Sequence, residues 1–170
     1  MPGESGERAP SVLGELVDVD ALPSGRAGAD ALTDGRSRLT WAEYADRVAR
    51  TAGVLADLGA RPGDRIGVHL PKSVDSFVAV HAVLRLGAVM VPLDALAPVH
   101  HTARVMADAG VETLVSAASP AVLAELASIT ELRAVLTPGP DGETPAGVIR
   151  RSEEDIASAP PSPRAAVGPD

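Results

Sequence analysis

The sequence predicts an α/β fold: a mostly parallel sheet flanked by helices and preceded by a short hairpin. Three observations carry this reading. Short apolar runs suited to strands begin at Ile66, Val89, Glu112 and Ala134, at steps of 23, 23 and 22 residues. Each step holds one amphipathic, helix-length segment, which is the crossover a parallel strand pair requires. The punctuation repeats as well, with a capping residue before each helical segment and a glycine after most of them. Ile66–Leu70 and Val89–Leu93 are apolar almost throughout, as expected of strands covered on both faces.

Residues 1–11 are polar and Gly/Pro-bearing and are expected to be loose, and Val12–Leu16 is expected to form a short helix. Ala31–Thr33 and Arg38–Thr40 flank Asp34-Gly35 and predict a hairpin. Thr40 and Glu43 have the spacing of a capping box, in which hydroxyl and carboxylate each satisfy a free backbone N–H. Tyr44, Val48, Ala52, Leu55 and Leu58 then form one apolar stripe, and Gly59 ends the helix. After Pro62-Gly63-Asp64 comes the strand Ile66–Leu70. Ser73 caps a second helix, expected to run through Phe77, Val80, Val83 and Leu84 and to stop at Gly87. Val89–Leu93 is the next strand.

Pro98 opens a third helix through Val105 and Met106, closed by Gly110, and Glu112–Ser116 follows as a strand. Ser119-Pro120 supplies an N-cap with proline at the first helical position, leading into Val122, Leu123 and Leu126. Ala134–Thr137 is the last strand this pattern predicts. Residues 138–170 read as a Pro/Gly-rich linker, with one or two helical turns at Ser152–Ala157 and an extended Ala159–Pro163. The expected division is therefore a loose 1–11, an α/β unit over 12–137 and a linker over 138–170.

Composition excludes several classes. The 170 residues contain no cysteine, so there is no disulfide scaffold, Cys-ligated zinc finger or thiol nucleophile. A net charge of −8 opposes binding to a phosphate backbone. Trp41, Tyr44 and Phe77 are the only aromatics, too few for a base-stacking platform, so no nucleic-acid partner is expected. The N-terminus lacks a signal-like apolar region. Phe77–Leu84, interrupted by His81, is far shorter than the roughly 20 residues a membrane span needs. A cytoplasmic protein with no membrane partner is the expectation.

Candidate chemistry is sparse. Neither G-x-x-x-x-G-K-[ST] nor G-x-G-x-x-G occurs, and Gly59–Gly63 runs from helix to strand, the wrong direction for cradling an anion. His100-His101 point about 100° apart on a helix, so joint ligation of one metal, with Asp94 or Asp108 completing the set, is less apt than a solvated first turn. His69 and His81 sit in apolar stretches and read as hydrogen-bonded core or edge residues. Ser73 and Ser76 lack a nucleophile-elbow context and read as caps. Asp94 follows a strand end, where open α/β sheets bind ligands. A receiver domain of similar size would need an acidic pair after the first strand and a lysine after the last, but His69-Leu70-Pro71 and Thr137-Pro138 stand there. A small flavin- or nucleotide-binding protein has no supporting motif.

Leu39-Thr40-Trp41-Ala42-Glu43-Tyr44 resembles the first core motif of adenylate-forming enzymes, the superfamily of acyl-CoA synthetases, amino-acid adenylation domains and luciferases. Leu84-Arg85-Leu86-Gly87-Ala88-Val89-Met90-Val91-Pro92-Leu93-Asp94 resembles the second. Gly59–Val68 and Pro71-Lys72-Ser73 match between them, and Pro98, Asp108 and Leu114-Val115 match after them. The resemblance covers about residues 30–137.

It implies a ligase that activates a carboxylate with ATP and Mg as an acyl-adenylate, then passes it to CoA or to a carrier-protein phosphopantetheine. Pro71-Lys72-Ser73, Pro92-Leu93-Asp94 and Pro98 look like the amino-acid-activating, carrier-loading branch, from which Ala95 and His100-His101 depart. The family's phosphate loop, with its lysine, follows a linker like Ala166–Asp170, and the substrate pocket lies beyond that. The sole lysine, Lys72, matches a scaffold position. The resemblance therefore assigns no catalytic, cofactor-binding or metal residue to this chain. The expectation is an inactive N-terminal fragment acting as a scaffold for the remainder of the enzyme. The alternative is a natural split or stand-alone α/β module that works by binding a partner polypeptide.

Overall fold

In the computed structural model, residues 25–139 and 142–165 are described. The expected Val12–Leu16 helix lies outside them. Strands β1 (Asp30–Thr33) and β2 (Arg38–Thr40) pair antiparallel as the Asp-Gly turn predicts. Asp34 does more than turn the chain. Its Oδ1 accepts from the Arg36 and Ser37 N–H groups at 2.9 and 2.8 Å, and its Oδ2 accepts from Val74 N–H, 40 residues on, at 3.0 Å. These backbone donors, led by Val74, lower its pKa to about 2. The hairpin is thereby pinned to the start of the second helix.

Helix α1 (Trp41–Asp57) carries the expected capping box. Glu43 N–H donates to Thr40 Oγ1 at 3.3 Å, and Thr40 N–H donates to Glu43 Oε2 at 2.8 Å. Its stripe buries Tyr44, Val48, Ala52 and Leu55, and Gly59 takes φ of 96° just past the last turn. Strand β3 (Arg65–His69), helix α2 (Val74–Arg85), strand β4 (Val89–Pro92), helix α3 (Val99–Ala109), strand β5 (Thr113–Ser116), helix α4 (Pro120–Ile129) and strand β6 (Ala134–Leu136) follow in the expected order. Two further elements, strand β7 (Ile149–Arg151) and helix α5 (Glu153–Ser158), complete the fold.

The five strands β3 to β7 form one parallel sheet in the order β4-β3-β5-β6-β7. Helices α1, α2 and α5 cover one face, burying Ile66, Val68, Val115 and Leu136. Helices α3 and α4 cover the other, burying Leu114 and Val135. The alternation along each strand sends successive side chains to opposite cores. At Gly67 a Cβ would lie 2.8 Å from both Leu114 Cδ1 and Leu93 Cδ1, so the missing side chain lets the second core close over the central strand.

Helix α2 runs through Phe77, Val80, Val83 and Leu84 as expected; it buries Val74, Val78, Ala79, Ala82 and Val83, with Val80 packed on the same core and Phe77 41% exposed. Because apolar residues surround this helix, periodicity alone did not fix its phase. The small Ala79 and Ala82 take the close contact with α1 and the sheet. Strand β4 is an edge strand with Val89 half exposed, yet its apolar run meets both cores, Met90 on the α1/α2/α5 side and Val91 on the α3/α4 side. The described part of 138–170 is also more ordered than a linker. The short Ile-Arg-Arg strand β7 has no apolar run, and pairing with β6 defines it.

The segment beyond α5 is held as well. Arg50 Nη1 donates to Ala159 O at 2.8 Å, Ser162 N–H to Ala49 O at 2.9 Å, Arg85 Nε to Ser162 O at 3.0 Å and Ala165 N–H to Arg85 O at 3.0 Å. Residues 159–165 thus form a strap across α1 and α2. Gly53 admits it, since a Cβ there would sit 2.6 Å from Pro160 O.

Candidate functional site

In an open parallel sheet, chemistry concentrates at the carboxyl ends of the strands, where the connections diverge to opposite faces. Here that point lies between β3, which leads to α2 on one face, and β5, which leads to α4 on the other. The last residues of these strands are His69 and Ser116, both buried, and His69 Nδ1 lies 3.0 Å from Ser116 Oγ. Ser116 Oγ also accepts the Ala118 N–H at 3.0 Å. Burial lowers the His69 pKa, while the Asp94 carbonyl and carboxylate oppose the shift. The His69–Ser116 contact therefore ties the ends of β3 and β5 together.

Beside this tie lies a cavity of about 360 Å³ between the first turns of α3 and α4. His69, Pro71, residues 95–97 and 117–119, Val122 and Leu126 are among the residues that line it. Leu96, among the lining residues, is 92% exposed.

The residues singled out in the sequence fall as follows. His69 is the hydrogen-bonded core histidine expected. His81 is half buried on α2, where its Nδ1 meets the Tyr44 hydroxyl and lies 3.1 Å from Phe77 O. Burial lowers the His81 pKa and pushes the Tyr44 phenol above its ordinary value. Ser73 and Ser76 cap α2 reciprocally, with Ser76 N–H to Ser73 Oγ at 3.2 Å and Ser73 N–H to Ser76 Oγ at 3.0 Å.

His100 and His101 are exposed on the first turn of α3. Asp94 Oδ1 accepts from Leu96 N–H at 2.9 Å, while Asp108 lies 3.9 Å from Arg104 within α3. No group of three His, Asp or Glu side chains able to hold a metal occurs among the described residues. The sequence reading missed the His69–Ser116 tie, because no local pattern links positions 47 residues apart.

The turn after β3 offers few free donors to a phosphate. The turn after β3 contains Pro71, which has no N–H, and the hydroxyls of Ser73 and Ser76 are spent on each other's backbone. Lys72 is exposed on this turn.

The profile of the AMP-binding enzyme family matches residues 20–168, and the chain belongs to that family. It is 44% identical over 68 residues to tenellin synthetase of Beauveria bassiana, covering 40% of this chain and 2% of that protein. The anthranilate CoA ligase AuaEII, solved in complex with anthranoyl-AMP, superposes with a TM-score of 0.78 at 18% identity, covering 93% of this chain and 30% of that one. The Klebsiella oxytoca NpsA N-terminal subdomain, solved in complex with anthranilyl-AMSN, superposes with a TM-score of 0.66 at 17% identity, covering 97% of this chain and 37% of that one. These likenesses are of fold: the sheet and its helices match the N-terminal subdomain of adenylate-forming enzymes. The chain spans a small part of the length of the relatives it matches. Among the described residues, no helix is long and apolar enough to cross a membrane.

Proposed function

We propose that the chain supplies the N-terminal α/β layer of a cytoplasmic ligase that converts a carboxylate and ATP to an acyl-adenylate. The acyl group then goes to a carrier-protein phosphopantetheine or to CoA. The observation that carries this reading is the family match over residues 20–168. The two motif runs also fall on framework positions of the sheet: Leu39–Tyr44 caps α1, and Leu84–Asp94 turns α2 into β4. Residues 12–137 and the strap against α1 and α2 are, in this reading, scaffold on which the rest of the enzyme packs.

By itself the chain does not activate a carboxylate. Adenylyl transfer needs preorganised cationic donors around the transferring phosphate. The carboxyl edge offers a neutral His69 and an apolar cavity in their place. An ATP–pyrophosphate exchange assay on the 170-residue chain, with amino acids and aryl acids as substrates, is expected to show no carboxylate-dependent exchange. Exchange above background would overturn the scaffold reading. Reading the gene past Asp170 is expected to reveal a Thr/Ser/Gly-rich stretch with a lysine. A stop codon there would favour a split enzyme or a partner-binding module.

A further inference from the structure

The carboxyl edge has room for only one proton between His69 and Ser116. The two residues are register partners at the ends of β3 and β5, with His69 Nδ1 3.0 Å from Ser116 Oγ. That oxygen also accepts the Ala118 N–H at 3.0 Å, which closes the turn leaving β5. A serine hydroxyl carries one proton, and a buried hydroxyl proton needs an acceptor. Ser116 is fully buried, and His69 Nδ1 is the acceptor set beside it. The hydroxyl therefore donates to Nδ1, and the proton of the neutral ring belongs on Nε2. His81 is built the other way. Its Nδ1 meets the Tyr44 hydroxyl and lies 3.1 Å from the Phe77 carbonyl, which can only accept. Its proton belongs on Nδ1, and Tyr44 donates to the same carbonyl at 3.3 Å. A second proton on His81 adds at Nε2 and leaves these bonds in place. A second proton on His69 must add at Nδ1, where it confronts the hydroxyl proton.

We propose that the His69–Ser116 tie is a proton-operated latch: it is shut while Nδ1 accepts the Ser116 hydroxyl, and a proton arriving at Nδ1 opens it. Opening turns the hydroxyl away from the ring and loosens the turn through Ala118, one of the segments that line the cavity. Among the described residues, Asp94 is the charged group that faces the ring, and it favours the second proton while burial opposes it. Of the elements that meet at the cavity, α3 contributes Val99 and Thr102 and keeps His100 and His101 exposed, while α4 and its cap contribute Val122 and Ser119. Lys72 is exposed on the turn after β3. The latch is a property of this fold and does not rest on the adenylation reading.

Long-range ¹H–¹⁵N spectra of the imidazoles at about pH 7.5 are expected to show a bare Nδ1 and a protonated Nε2 on His69, and the reverse on His81. A protonated His69 Nδ1 at that pH would overturn the proposal. Amide exchange is then followed from about pH 7.5 to about pH 5, as protection relative to the unfolded chain, so that its intrinsic pH dependence cancels. Protection of Ala118 is expected to fall at least about tenfold in step with proton uptake by His69. Leu93, whose N–H bonds the Val68 carbonyl, should hold its protection. His69→Gln offers Ser116 an acceptor that does not titrate and should keep Ala118 protected across the range. Changing His100 and His101 together to Gln should leave the fall unchanged. If His69→Gln does not fold, the tautomer and the Ala118 profile of the unaltered chain decide the matter. Level Ala118 protection through the His69 titration, a fall that survives in His69→Gln, or one that disappears with the His100 and His101 changes would each sink the latch.

Discussion

On one face of the sheet, α1, α2 and α5 are joined to one another and to the strap by ion pairs and hydrogen bonds. Arg47 pairs with Asp75 of α2 at 2.8 Å and with Glu153 of α5 at 3.0 Å, and Arg50 and Arg85 hold strap carbonyls. On the other face, the ion pairs and side-chain hydrogen bonds described for α3 and α4 stay within each helix or its caps. Those helices adhere through Met106, Leu123, Leu126 and their neighbours. The difference separates two physical jobs. Apolar burial supplies adhesion, at roughly 25 cal/mol per Å². Directional polar links add little net energy each, but they fix where an irregular segment lies. The loops at the first turns of α3 and α4 line the cavity beside His69.

The sharpest way to break this comparison is to remove one fastening of each kind. Leu123 is fully buried in the α3/α4 core, and Leu123→Ala is expected to cost about 2–5 kcal/mol through lost burial and a residual void. Arg85→Ala, which removes a bond to the strap, is expected to cost only about 0.5–1.5 kcal/mol. Urea denaturation of both variants measures the ratio. Equal losses would mean that the polar face is held by its links and not merely oriented by them.

The two buried glycines give an effect smaller than that of Leu123→Ala. At Gly67 an added Cβ meets the ends of two leucine side chains, which can turn aside, whereas at Gly53 it meets the Pro160 carbonyl, which is backbone. Gly53→Ala is therefore expected to lift the strap and speed exchange of the Ser162 amide, while α1 keeps its helicity. Gly67→Ala is expected to cost about 1–3 kcal/mol by overpacking and to leave that amide protected. Hydrogen exchange read residue by residue distinguishes them. An unchanged Ser162 amide in Gly53→Ala would mean that the strap is not seated on that glycine.

What the sequence made legible followed from local rules. The hairpin, the Thr40–Glu43 box, the Ser119-Pro120 entry and the strand spacing each depend on residues a few positions apart, and all are present. The phase of α2, the exposure of β4 and the pairing of β7 depend on neighbours elsewhere in the chain, and the local pattern did not carry them. The same holds for the site. His69 could be read as a satisfied core histidine. Its partner Ser116, the reach of Asp34 to Val74 and the seat of Pro160 on Gly53 exist only once distant segments meet. An isolated glycine in an apolar helical stripe is the one signal that could have pointed to the strap.

The two histidines sharpen the comparison by pH, since one stands on each face. Burial lowers both pKa values from 6.5, with His69 beside the cavity and His81 between α1 and α2. In each case the folded chain binds a proton less readily than the unfolded chain. Stability is therefore fully present above the unfolded value near 6.5. It declines as pH falls, until the lowered folded value is passed. The denaturation midpoint is expected to be lower at about pH 5 than at about pH 7. His81→Gln should remove part of that loss, because an amide can still meet the Tyr44 hydroxyl without titrating. Imidazole NMR titration should find both rings below the free value. On protonation, His69 should perturb the 95–97 and 117–119 loops and His81 the Tyr44 and Phe77 resonances, each on its own side of the sheet. A His81 titration that moves the cavity loops would show that the two faces are coupled through the sheet and that the division between them is not mechanical.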